Sequence, residues 1–294
     1  MTAAVDLHIH THYSDGQAKP MEVLYQASWL GIKTLAITDH DNANGVREAL
    51  PLAQKLELEL IPAVEFTCRW PQCITLPGKG DIDVLAYFVD LDDPGFQAFE
   101  QATLKDIHAR IDECCSFLTM DGYTVFLEDV FAQNPRYAGL LQLMMAIQAK
   151  NYIPDWEEVM VTVKRYWRRV RLSRFTIQEL IEQIHRAGGV AVLAHPAVIK
   201  CGGMWISAAQ VASLVEAGLD GIEIYHDVVD EIARPYFLEL ANRFNLLVTG
   251  GSDEHGFFSD LKNLGSQPVT SEMVDALRAR HTLHDAARRG SFHE

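Results

Sequence analysis

Several protein classes are excluded by what this chain has little of. It holds only 5 cysteines in 294 residues, an odd number with no Cys-x-x-Cys pair, which argues against a disulfide framework or a zinc ribbon. Cys68, Cys73, Cys114, Cys115 and Cys201 are therefore expected to be reduced packing residues. No apolar run reaches the ~18 residues of a membrane span, and no signal-peptide pattern precedes the first apolar stretch. A cytoplasmic protein is expected. Basic residues are scarce: 25 Lys and Arg against 40 Asp and Glu leave a formal charge of −15. A non-specific duplex binder needs the opposite sign, because its affinity comes from releasing counterions from phosphates. Small phosphorylated substrates remain possible, since divalent cations in a pocket outweigh the average surface field. Without a Gly-x-x-x-x-Gly-Lys spacing, Gly188-Gly189 and Gly250-Gly251 read as turn glycines, not a phosphate loop.

What is present is histidine and carboxylate at the ends of short apolar runs. Val5-Asp6-Leu7 leads into His8-Ile9-His10, and alternation along a strand puts those two imidazoles on one side. Chance alone would give about 0.5 such His-x-His pairs in a chain of this histidine content, so one pair decides nothing. Four further runs, Thr34–Thr38, Leu60–Val64, Val190–Ala194 and Leu246–Gly250, also stop just before or at a His, Asp or Glu: His40, Glu65, His195, and Asp253 with His255. Five strands thus point ligand-type side chains at one place.

With 48% hydrophobic residues, the chain can bury the core of one large domain, with or without an insertion. Helical spacing over Lys19–Gly31, Asn44–Leu58, Thr176–Ala187, Ser207–Ala217 and Asp230–Phe244 alternates with strand-like runs, including Glu59–Cys68, Ile82–Val89 and Gly221–Tyr225. Seven strands alternating with helices predict a parallel sheet, and ligands at strand ends predict a barrel with its site on that face. Residues 93–171 are helix-like throughout and read as an insertion between barrel segments 1–92 and 172–294. Met144 and Met145 fit its helical core. The basic run Lys164–Arg174 reads either as a solvated face or as an electrostatic lure for an anion.

His8-x-His10, Asp15-Gly16, Thr38-Asp39-His40, Glu65, His195-Pro196 and Ser252-Asp253-x-His255, in this order, resemble the PHP (polymerase and histidinol phosphatase) family. The likeness is greatest to its stand-alone bacterial phosphoesterase branch and covers about residues 5–92 and 175–260. It implies an α/β fold, a distorted seven-stranded (β/α) barrel with a helical insertion, that binds two or three divalent metals and hydrolyses phosphate esters by a metal-activated hydroxide. Carried over residue by residue, the resemblance implies that His8, His10, Glu65 and Asp253 hold one metal. Glu65 would bridge to a second metal shared with His195, and Asp15, His40 and His255 would hold a third. Where the family usually has a histidine on the strand after Glu65, this chain offers Asp83, which lowers a preference for zinc. In the insertion an Arg-x-His pair is reduced to Arg136, which could still grip a phosphate.

Two metals about 3.5–4 Å apart suit the reaction, because they bind phosphoryl oxygens and acidify a shared water. A ligand set of His and carboxylates without cysteine suits manganese, zinc or iron, with manganese favoured. His195 or Asp253 is the candidate for passing a proton to the leaving group. Lys200 and His226 are candidates for substrate contact, each against a bland alternative of solvation or structure. His12 is a weaker candidate ligand, and His108, His185, His281, His284 and His293 read as surface residues. The substrate expected is a small nucleotide, such as a nucleoside 3′,5′-bisphosphate, or the end of a short oligoribonucleotide. The alternatives are a histidinol-phosphate-type phosphatase, a non-catalytic metal-binding module, and an amide or lactone hydrolase, which would want a lysine-like bridging ligand where Glu65 stands.

Overall fold

The computed structural model describes residues 4–70, 80–201, 203–256 and 263–290. In chain order the barrel elements are β1 (Val5–Ile9), α1 (Pro20–Leu30), β2 (Thr34–Ile37), α2 (Asn44–Lys55), β3 (Glu59–Arg69) and β4 (Asp81–Tyr87). Four helices follow: α3 (Pro94–Met120), α4 (Leu127–Phe131), α5 (Leu140–Ala149) and α6 (Trp156–Trp167). The barrel resumes with α7 (Ile177–Arg186), β5 (Val190–Leu193), a short hairpin β6 (Lys200–Cys201) and β7 (Met204–Trp205), then α8 (Ala208–Glu216), β8 (Gly221–Tyr225), α9 (Ala233–Phe244), β9 (Leu247–Gly250) and α10 (Ser271–Gly290). Helix α1 ends on Gly31 in the left-handed region, φ 82°, a conformation glycine adopts without Cβ strain.

Seven strands form one curled sheet in the order β1-β2-β3-β4-β5-β8-β9. The exit of β9 returns to β1: Asp253 N donates to His8 O (2.9 Å) and His10 N to Glu254 O (2.9 Å). Two pairings correct the expectation of an all-parallel sheet, since β4 runs antiparallel to both β3 and β5. The link between β3 and β4 is too short for the crossover helix that a parallel neighbour requires.

Period-two alternation divides the strand residues between two apolar clusters. Leu60, Val64 and Phe66 of β3, Val84 of β4 and Ile222 of β8 pack outward against the helices. Ile61 and Ala63, Leu85 and Tyr87, and Val190 and Val192 fill the barrel interior. Glu65 and Asp83 continue the interior rows of β3 and β4 by two residues, so the same alternation that builds the core aims both carboxylates inward. Strand β1 needs a correction to its rhythm. Its register shifts between Asp6 and Ile9, so Leu7 joins the interior cluster while Ile9 joins the outer one. That irregularity is the device that turns His8 and His10 inward. The helices α3 to α6 bury an apolar cluster of their own, including Ile111, Leu118, Leu143, Ile147 and Val163.

Four histidines expected on the surface are part-buried instead. His185 and His284 stack at 4.1 Å between ring centroids, and both bond Asp220, at 2.8 and 2.9 Å. Arg280 completes the clamp at 2.7 Å, tying α10 to the floor of the barrel. His281 donates to Gly188 O, and His108 lies edge-on to Phe131. His293 and Cys73 lie outside the described residues. Cys68, Cys114 and Cys115 are buried and outside any disulfide, whereas Cys201 is disulfide-bonded, against expectation. Gly250 and Gly251 are not turn glycines: a Cβ on Gly251 would lie 2.4 Å from His8 N, so its absence permits the β9 exit to cross β1.

The Asp220 clamp carries a stability prediction. Burial pushes its carboxyl upward, but the bonds from His185 and His284 outweigh burial and hold it below the usual range. A depressed folded-state value contributes stability above the ordinary aspartate range near pH 4 and loses it as pH falls further. Asp220→Asn is expected to lower unfolding free energy by about 2–3 kcal/mol at neutral pH in urea titrations. The deficit should shrink in acid, and an undiminished deficit at pH 3 would refute the electrostatic account.

Candidate metal centre

Glu65 is the hub of the site. Its carboxylate lies 2.9 Å from His195 Nε2, 3.2 Å from His10 Nε2, and 3.3 Å from both His8 Nε2 and His40 Nδ1. Asp253 faces the same imidazoles from the β9 exit, 3.3 Å from His8 and 3.2 Å from His10. Asp15 lies 3.3 Å from His255 Nε2 and 3.7 Å from His40 Nε2. Ligand-type atoms gather in four overlapping groups here: His10, Asp15, His40 and His255; His8, His10 and Glu65; His8, His226 and Asp253; His40, Glu65 and Asp83. His195 adjoins the last, 4.0 Å from Asp83.

The chain spends strain to hold this arrangement. His195 and Asp253 have φ of 27° and 52°, a region that costs a non-glycine residue about 1–3 kcal/mol and clusters at functional sites. Beneath the ligands, Asp39 accepts bonds from Thr11 N, Thr11 Oγ1 and Ser14 Oγ, each at 2.7 Å. Asp6 ties β1 to Ser252 N and Gly265 N at 2.9 and 2.8 Å.

The donor set fits divalent cations. Among the described residues, His195 Nδ1 is buried with no hydrogen-bond partner, and His40 Nδ1 and Asp15 Oδ1 are buried with charged neighbours at 3.3 Å but no hydrogen bond of good geometry, a costly condition that a cation relieves. Nitrogen and carboxylate oxygen without sulfur suit manganese, iron or zinc. The electrostatics are those of a cation trap. Burial opposes a charged imidazole, yet Asp253 and Glu65 lift His10, Asp15 and Glu65 lift His40, and Glu65 lifts His195, each to about 9. Burial likewise favours neutral carboxyls, yet the charges of His8 and His40 hold Glu65 well below its usual range.

A metal must displace those protons, so its affinity is expected to rise between about pH 6.5 and 9. The chelated protein has the opposite trend: raised folded-state values stabilise it below about pH 6.5 and that contribution is lost as pH rises through 9. Thermal unfolding across this range, with chelator and with manganese, should show the two curves diverging. Parallel curves would exclude the linkage.

The remaining sequence candidates lie around this cluster. His226 is buried and its Nε2 bonds Asp253 Oδ2 at 3.2 Å, so it belongs with the ligand groups and not on an open substrate face. Asp83 accepts from Thr67 Oγ1 at 2.7 Å, and burial raises its carboxyl. Arg136 is exposed, its guanidinium 5.4 Å from the Tyr13 ring centroid. Lys200 turns to the Trp205 ring, 4.9 Å from its centroid. His12 is part-buried beside Tyr13. One residue of the site escaped the sequence reading. Glu223, fully buried on β8, accepts from His8 Nδ1 at 2.9 Å and from His195 N at 2.8 Å. Its signal was an acid between Ile222 and Ile224 in an otherwise apolar strand.

Comparison with known proteins agrees with this geometry. The family model described as PHP domain matches residues 6–187. A phosphoribosyl 1,2-cyclic phosphate 1,2-diphosphodiesterase of Eggerthella lenta is 28% identical over 271 residues, 88% of this chain and 97% of the relative. A 5′-3′ exoribonuclease of Haemophilus influenzae is 29% identical, covering 87% of this chain and 91% of the relative. The crystal structure of a candidate metal-dependent phosphoesterase from Bifidobacterium adolescentis superposes with a TM-score of 0.80 at 26% identity, over 94% of this chain and 96% of its own.

Proposed function

This chain belongs to the PHP domain family, and from that premise we propose that it is a metal-dependent phosphoesterase of nucleotides, cleaving a phosphate ester of a nucleotide or of the end of a short oligoribonucleotide. The observation that carries the reading is the meeting of His8, His10, Glu65, His195 and Asp253, from four strands far apart in sequence, in one cluster of imidazoles and two carboxylates. Two or three divalent ions would be held by His8, His10, Glu65 and Asp253, by Glu65, His195 and Asp83, and by Asp15, His40 and His255. Manganese is favoured because carboxylates make up so much of the set. Bound metals supply Lewis acidity toward phosphoryl oxygens and acidify water. The chain's own groups do the rest. Glu223 orients His8 and the His195 backbone, and the strained turns at His195 and Asp253 fix two ligands.

Residues 93–171 act in this reading as a cap over the site, and Arg136 on its rim is a phosphate contact. No described helix is long and apolar enough to cross a membrane. The deciding experiment is metal analysis of the purified protein with release of phosphate from nucleoside 3′,5′-bisphosphates and histidinol phosphate, and of phosphate or mononucleotides from short RNA, in manganese. Release from the nucleotides is expected. Release from histidinol phosphate alone would replace the substrate class, and inactivity on all three would end the reading.

A further inference from the structure

Helix α6 carries Trp156, Met160, Lys164 and Trp167, a spacing that puts them on one face. Two lobes of a cleft open between that face and the ligand cluster. One, about 380 Å³, is lined by Lys164, Trp167 and Arg168 together with His40, Asp83 and Asp15. The other, about 600 Å³, is lined by Trp156, Met160 and Lys164 together with Asp15, Asp253 and His255. Asp15 and Lys164 border both, so the lobes meet between a candidate metal ligand and a lysine. Each is in the volume range that holds one compact organic ligand. The two tryptophans are about 16 Å apart along the helix axis, too far for one base to touch both.

Resting on the phosphoesterase reading above, we propose that α6 is the specificity element of the site. The Trp167 and Trp156 rings each take one nucleobase of a substrate whose reacting phosphate lies between them, beside Lys164. Indole faces stack bases of any sequence, which suits recognition of a nucleoside without choice of base. Lys164 and Arg168 are exposed, and neither is in an ion pair among the described residues. They bring local positive potential to a chain of charge −15. Hydrolysis of such a diester joins a water oxygen to phosphorus and breaks the bond to one nucleoside oxygen, which leaves with a proton. The products are a phosphomonoester and an alcohol, and water is the only co-reactant.

The test compares Trp156→Ala and Trp167→Ala with their Phe counterparts, each loaded with manganese, on a ribodinucleotide and on glycerol phosphate, which has no base. Each Ala change should lower kcat/KM on the dinucleotide about 10-fold more than on glycerol phosphate, chiefly through KM, and Phe should restore most of it. An equal fall on both substrates, no fall on either, or a loss that Phe fails to restore would overturn the assignment. Wild-type activity confined to glycerol phosphate would overturn it and leave a phosphoesterase standing. Wild-type inactivity on every ester would remove the underlying reading as well.

Discussion

Glu65→Gln is expected to abolish phosphate release and to strip metal from the protein. Its carboxylate is within 3.3 Å of a nitrogen of His8, His10, His40 and His195. An amide keeps the shape and removes the charge, so the ions it would join lose their shared anionic ligand. Losing several kcal/mol of charge stabilisation in the transition state corresponds to a fall in kcat/KM on the order of 10³. Metal analysis should show at least one ion fewer per chain, and His8→Ala and Asp253→Ala should behave alike. Full metal content with more than a tenth of the activity would mean that Glu65 does not join the sites.

The second large effect falls on a residue that would touch neither metal nor substrate. Glu223 lies behind His8 and accepts from Nδ1, which leaves Nε2 turned toward Glu65 and Asp253. A carboxylate behind a ligating imidazole fixes its tautomer and raises its basicity, and such partners are worth about 10–100-fold in metal affinity. Its other oxygen receives His195 N, so one side chain sets two ligands from β1 and the β5 exit. Glu223→Gln presents an amide N–H to one of two donors, and manganese affinity should weaken by about that factor in chelator competition. Turnover should largely recover in excess manganese, because the ligands themselves remain. A loss that excess metal fails to repair would assign Glu223 to the chemistry rather than to metal holding.

How legible these features were in the sequence depended on the range of the physics behind them. The β-α-β rhythm and the strand-like runs at β3 and β8 follow from local spacing and sterics, and the helices fall within a few residues of their expected bounds. The antiparallel run of β4 was not legible, because alternating polarity is the same for either strand direction. Nor was the irregularity in β1: a strict alternation starting at Leu7 would have faced His8 away from the interior. Glu223 went unread because its role exists only through His8, 215 positions away. The same holds for His185 and His284, which look like surface histidines until Asp220 is placed between them.

Residue types and their order by themselves determined that strands alternate with helices, that imidazoles and carboxylates collect at strand exits, and which family the chain resembles. Those are properties of neighbours along the backbone, where periodicity is fixed by covalent geometry. Only the tertiary structure decided which carboxylate stands at the centre, which one steers an imidazole from behind, and where α6 lies over the cluster. Such relations depend on strand direction, register and closure, which are set by packing between segments hundreds of residues apart and leave no periodic mark in any one of them.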